Sequence, residues 1–176
     1  MNGKLKYIIF ISIICVSIIL GFRYKQINKD VPNAYEKQVY KVSEIAELDD
    51  LDFKINSYNI IKGEDKATND NIILNIEIKN KSSQKINIKS LIFDSRLSDG
   101  FDYIDTASVD EKYYDDIEGG LDAGKVLKFD LHYSAIHNNI SFDNPLQFYI
   151  PNCFYEKQIR EKYNEKKFYA KYIELD

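Results

Sequence analysis

The chain has 176 residues, 44% of them apolar, with 24 basic and 28 acidic side chains. That length holds one domain with its own core plus an appendage. The first 30 residues carry five basic side chains and one acidic one, so residues 31–176 have a formal charge of about −8, and an acidic domain of this kind offers no electrostatic footprint for nucleic acid.

Trp is absent, while 14 Tyr and 10 Phe supply much of the burial. The two cysteines are Cys15, inside an apolar N-terminal run, and Cys153, far away in the polar part. Two such positions do not pair, so no intradomain disulfide is expected. A domain of this size is still exportable on its core alone.

From the N-terminus, Tyr7 to Phe22 is a run of sixteen residues without a charge, flanked by Lys4 and Lys6 on one side and by Arg23 and Lys25 on the other. Such a run is a membrane span or a signal-peptide core. No small-residue cleavage site follows Phe22. Cys15 sits mid-run behind Ser12-Ile13-Ile14, which is not a lipidation box. Residues 1–25 are therefore read as an uncleaved anchor that contacts the membrane through residues 7–22. Basic flanks are nearly balanced, and the orientation expected is a cytoplasmic N-terminus with the C-terminal domain outside the cell.

Residues 26–50 are polar, include Pro32, and are expected to form a stalk ending in a short helix after Ser43. Residues 51–176 then form the folded domain. Leu51, Phe53 and Ile55 alternate with Asp52 and Lys54 as a first core strand. Asn71 to Asp94 is the clearest stretch. Ile72, Leu74, Ile76 and Ile78 fall on every second residue, a polar turn follows from Asn80 to Gln84, and Ile86 and Ile88 resume the alternation. The expectation is a β-hairpin, with a bulge or a change of sheet near Ser90 before Leu91 and Phe93.

Ser98-Asp99-Gly100 signals a turn into a strand at Phe101, Tyr103 and Ile104. Asp105 to Glu118 is acidic and poorly periodic, as an exposed connection would be. Val126 to Tyr133 alternates Leu127, Phe129, Leu131 and Tyr133 against Lys128, Asp130 and His132. Leu146, Phe148 and Ile150 alternate up to Pro151. Gln158 to Lys167 reads as a helical turn or hairpin loop, and Phe168, Ala170 and Tyr172 mark a last strand. Seven or more short strands with turns between them predict an all-β, antiparallel sandwich behind a single N-terminal transmembrane helix.

Three segments carry a family resemblance: Leu51 to Ile61 (LDFKINSYNII), Asn75 to Ile88 (NIEIKNKSSQKINI) and Leu121 to Tyr133 (LDAGKVLKFDLHY). Over Leu51 to Leu175 the chain resembles uncharacterised bacterial immunoglobulin-like domains of lipoproteins and membrane-anchored proteins, related in fold to a mycobacterial secreted antigen. The resemblance implies an extracytoplasmic β-sandwich that binds a partner. It carries no catalytic residues over.

Chemistry is sparse. His132 lies on the polar face of a strand and His137 in the next loop, without the thiolate or carboxylate help that a zinc site needs. No Gly-x-Ser-x-Gly setting or serine triad is legible, and Cys153 has no motif around it. The acidic side chains of residues 99–118 are the sharpest candidate for a cation: Asp99, Asp102 and Asp105, or Asp110 with Asp115, Asp116 and Glu118. Tyr113-Tyr114 is either a partner contact or a cover for the sandwich end. No catalytic residue, cofactor or metal ligand is assigned. The function expected is a non-enzymatic binding or adaptor module, tethered to the membrane and engaging another cell-envelope protein or ligand. The alternative is a calcium- or ligand-responsive sensor using the acidic segment, with a hydrolase behind both.

Overall fold

A computed structural model describes residues 3–64, 68–100, 102–104, 107–135 and 144–176. Helix α1 (Gly3–Ile27) has 25 residues, about 37 Å at the usual helical rise. Its stretch Ile9–Ile27 is long and apolar enough to cross a membrane, and none of it is buried against the rest of the chain. Asn28 closes the helix, with both its backbone N–H and its side-chain amide donating to Tyr24 O.

The folded part is a β-sandwich of two five-stranded sheets. The first contains, in spatial order, β1 (Ala34–Lys41), β10 (Lys167–Leu175), β9 (Leu146–Tyr149), β5 (Arg96–Ser98) and β6 (Tyr103–Ile104). The second contains β2 (Ala46–Glu47), β3 (Leu51–Ile61), β4 (Asp70–Asn80), β8 (Val126–Ala135) and β7 (Ala107–Val109). Strand β4 puts Ile72, Leu74, Ile76 and Ile78 inward, against Tyr133, Leu131, Phe129 and Leu127 of β8. The two sheets meet where Phe53 of β3 stacks on Phe148 of β9, ring centroids 5.2 Å apart. A bulge between Ile55 and Ser57 shifts β3 by one residue. Its inward set therefore passes from Leu51, Phe53 and Ile55 to the half-buried Tyr58 and Ile60.

Four expectations are corrected. The hairpin from Asn71 to Asp94 has only its first strand. Beyond β4, the buried amide of Asn80 gathers the chain into a turn, Ile86 makes a lone antiparallel bridge with Leu121, and Lys89–Phe93 is a short helix, α2. Ile88, Leu91 and Ile92 are all buried, and their i, i+3, i+4 spacing is that of a helix face. Gly120 has a φ of +82°, and a Cβ there would lie 2.9 Å from Ile86 O, so only glycine lets this bridge form.

The second correction concerns residues 26–50. They are not a stalk, and no helix follows Ser43. Strand β1 pairs with β10 over its whole length, while Ala46 and Leu48 enter the core. Third, β1 runs parallel to β10, so the first sheet is mixed, and the chain also carries α-helices beyond α1. Fourth, the acidic segment is structured. It includes β6, β7, a 3-10 turn at Glu111–Tyr113 and helix α3 (Tyr114–Gly119), with Ile104, Val109 and Ile117 buried. Phe101 and Asp105 lie outside the described residues.

Strand β9 pairs with β10 only over Tyr172–Leu175. Over Lys167–Lys171 strand β10 therefore pairs with β1 alone, a two-stranded neck in which Tyr169, Ala170 and Lys171 are still buried. Helix α4 (Glu156–Asn164) packs along it, longer than the helical turn expected at Gln158. Asp49 caps α4 from across the chain, its carboxylate accepting the Lys157 N–H at 2.9 Å.

Candidate binding face

The residues singled out in the sequence do not converge. Asp99 is buried and holds the β5–β6 turn: its carboxylate accepts the Asp102 N–H at 2.8 Å, while Gly100 adopts a φ of +98°. Asp110 lies 3.4 Å from Lys112 Nζ and 3.9 Å from His132 Nε2, and Glu118 lies 3.0 Å from Lys89. Asp115 and Asp116 sit in the first turn of α3, where the helix dipole favours acidic groups. Among the described residues, no three His, Cys, Asp or Glu side chains are placed to hold a metal ion. Asp105 and His137 lie outside those residues. The tyrosine pair divides: Tyr113 packs on Phe129 of the core at 5.9 Å, whereas Tyr114 is exposed. Cys153 is exposed in a 3-10 turn, and partial burial of its thiol raises the pKa.

A different set of side chains does converge, on the outer face of the first sheet. Strand alternation turns Phe148 and Ile173 into the core and leaves Tyr149 and Tyr172 on the opposite face. These two are register partners, and their rings meet edge-on at 5.5 Å. On one side, Tyr35 of β1 approaches Tyr172, hydroxyl to hydroxyl at 3.1 Å, and Lys37 lies 5.2 Å over the Tyr172 ring and 5.9 Å over that of Tyr35. On the other, Arg96 of β5 is the register partner of Tyr149, and its guanidinium covers the Tyr103 ring of β6 at 4.9 Å. Tyr35, Lys37, Tyr172, Tyr149, Arg96 and Tyr103 thus form one row across all five strands. Desolvation raises the Tyr172 and Tyr149 pKa values, and the Tyr35 hydroxyl adds to the effect at Tyr172, so both phenols stay protonated; the Tyr149 hydroxyl donates to Asn152 Oδ1 at 2.7 Å. The row offers flat apolar rings, phenolic hydroxyls and two cations. That chemistry binds by stacking and by pairing with carboxylates. A signal for it exists in the sequence: Tyr149 and Tyr172 occupy non-core positions of strands whose core positions are already aliphatic or aromatic.

Behind the row, on the inner face, Lys171 is only 1% exposed. Its ammonium donates to Tyr40 Oη at 3.1 Å and to the backbone oxygen of Glu47, and lies 5.5 Å and 5.6 Å from the Tyr40 and Tyr155 rings. Burial lowers its pKa to about 8, opposed by the nearby carboxylates of Asp49 and Glu47. Because Glu47 belongs to β2, this side chain ties the two sheets together. A small cavity of about 400 Å³ beside it is lined by Gln38, Tyr40, Ile45, Glu47 and Gln158. A larger groove of about 490 Å³ runs between the start of β3, residues 86–90 and α4, with Asp49 and Asp50 facing Lys157 and Arg160. Glu156 lines it too, and both cations are paired within it, Lys157 with Asp50 at 3.7 Å and Arg160 with Glu156 at 3.1 Å.

No family model matches the chain, nor does any curated protein sequence. Among solved structures, an uncharacterized β-sandwich protein from Clostridium difficile 630 is similar with a TM-score of 0.54 at 13% identity, over 82% of this chain and 99% of that one. A functionally unknown protein from Listeria monocytogenes EGD-e gives 0.48 at 18% identity over 64% and 73% of the two chains. The yjhA protein from Bacillus subtilis gives 0.49 at 14% over 78% and 99%. The first of these likenesses shows the β-sandwich architecture.

Proposed function

We propose that this chain is a non-enzymatic, membrane-tethered binding module: an immunoglobulin-like sandwich held outside the cytoplasm by α1, with the outer face of its first sheet engaging another protein of the cell envelope. The observation that carries this is the Tyr–Arg–Lys row. Tyrosine and arginine are the residues in which interface binding energy concentrates, and four tyrosines and one arginine, with Lys37 beside them, lie across one exposed sheet face. Lys37 and Arg96 at its two sides select a partner surface that presents carboxylates around a flat apolar patch.

The test is site-specific photocrosslinking in native membranes, with the photoreactive group at Tyr103. One envelope protein is expected to be captured, and Arg96→Glu in the same chain is expected to cut its yield about tenfold, the equivalent of one lost charge-assisted contact. An unchanged yield in Arg96→Glu overturns the assignment of this face. Arg96 is exposed, so the substitution leaves the core intact.

A further inference from the structure

The part of the molecule nearest α1 has a chemistry opposite to the rest. Residue segments 23–36 and 156–167 contain eight basic and five acidic side chains, a formal charge of +3; segments 37–155 and 168–176 contain 14 basic and 23 acidic, a charge of −9. These two basic segments are joined in space. The Asn33 N–H donates to Lys166 O at 3.0 Å, and Lys166 Nζ bonds both Lys29 O and the Asp30 carboxylate. The α4–β10 turn is therefore fastened to the chain two residues beyond the end of α1.

The position of that turn follows from chain length. Lys29 is seven residues past Phe22, where the uncharged run ends, about 10 Å at helical rise. The polar layer of one leaflet is roughly 5–7 Å deep, so the turn sits at the outer boundary of the headgroups. Apolar side chains are exposed at the same place: Val31 at 44%, Tyr163 at 46% and Phe168 at 50%. Exposed aromatics beside lysines are the composition of a membrane interface.

We infer that the neck of the sandwich (the α4–β10 turn, Val31, Tyr163, Phe168 and the surrounding lysines) docks on the anionic headgroup layer of the bilayer that holds α1, fixing the acidic head and its tyrosine row at a set angle to the membrane. This rests on α1 being a membrane span. Chain continuity brings the neck to the surface, and the +3 neck is complementary to anionic lipid while the −9 head is repelled by it.

The experiment uses the full chain reconstituted in vesicles. It has no tryptophan, so Phe168→Trp supplies a single reporter and Tyr103→Trp a control. Tyr103 lies at the far end of the sandwich, since it pairs with Ser98, which pairs with Gln147 opposite Glu174. In vesicles of phosphatidylcholine with phosphatidylglycerol, the Phe168→Trp emission is expected to shift to the blue and to be quenched by headgroup-depth nitroxide lipids. In phosphatidylcholine alone, or at high salt, the quenching is expected to fall. Arg160→Glu, at an exposed position, is expected to weaken docking by about fivefold or more, from about 1 kcal/mol per basic residue near an anionic surface. Equal quenching of the two reporters, in a chain that floats with vesicles after alkaline washing, overturns docking alone. Loss of flotation overturns the anchor and the docking together.

Discussion

One buried amide closes the segment after β4. Asn80 is fully buried, and its Nδ2 donates to Gln84 O at 2.7 Å and Leu121 O at 2.8 Å while its Oδ1 accepts from the Ser82 N–H and hydroxyl. Alanine at this position removes both donated bonds and the acceptor of the Ser82 N–H, while Leu121 O keeps the Ile86 N–H at 3.0 Å and Gln84 O keeps the Ser82 hydroxyl at 2.8 Å, so the loss is that of several hydrogen bonds at about 0.5–1.5 kcal/mol each. Asn80→Ala is thus expected to destabilise the protein by about 2–4 kcal/mol, read as a lower urea midpoint at unchanged m-value; a loss under about 0.5 kcal/mol would show that water replaces both bonds. Lys171 works differently, because its signature is a pH dependence. Its amine is depressed to about 8 by burial, against about 10.4 unfolded. Between those values the unfolded state binds more protons than the folded one, so stability is expected to rise from pH 8 to about 10. Above that range Tyr40, raised to about 12 by burial, stays protonated in the fold while its unfolded counterpart ionises, and stability falls. In Lys171→Met the rise from pH 8 to 10 should vanish while the fall above pH 10 persists; a rise that survives assigns it to another group. Neither role is legible from local pattern. Asn80 looks like a turn residue, and Lys171 sits where alternation calls for an apolar side chain.

Legibility at the scale of elements depends on whether a strand has a face in the core. Strands β4, β8 and β9, and β3 as far as Ile55, bury alternate residues, so their period of two is written in Ile, Leu and Phe. Strand β1 buries none of its residues. Its outward set is Tyr35, Lys37 and Val39, and its other set, Glu36, Gln38 and Tyr40, faces α4 and β10 through polar contacts such as Lys162 and Lys167 to Glu36, both at 2.8 Å. A strand held by backbone pairing and surface ions reads as a polar linker, which is why residues 26–50 suggested a stalk. The tyrosine row was hidden for the related reason that attention to core positions passes over the opposite face. Limited proteolysis separates paired strand from linker. Backbone paired along its whole length resists cleavage at a free energy near that of global unfolding. Trypsin under native conditions should therefore leave Lys37 and Lys41 uncut while β10 stays intact; rapid cleavage after Lys37 would mean that β1 frays from β10.

The whole molecule combines an apolar helix that none of the other described residues covers, a neck of net positive charge and an acidic head with its tyrosine row on one side. Under the proposed topology, the neck brings the head to the membrane without a flexible stalk, so partner reach is limited to proteins standing beside it. The basic residues flanking Tyr7 to Phe22 are nearly balanced, so orientation is the property to measure. The two native cysteines report on it without engineering. Cys15 lies in the apolar stretch of α1 and Cys153 is exposed on the head. A charged, membrane-impermeant maleimide reacts with thiolate, and since partial burial raises the Cys153 pKa, labelling belongs at mildly alkaline pH. With the head outside, intact cells should give one label at Cys153, abolished by Cys153→Ser and unchanged by Cys15→Ser. With the head inside, Cys153 stays unlabelled until the cells are opened. That second outcome would sink the extracytoplasmic assignment while leaving the neck's contact with lipid to be judged by its own test.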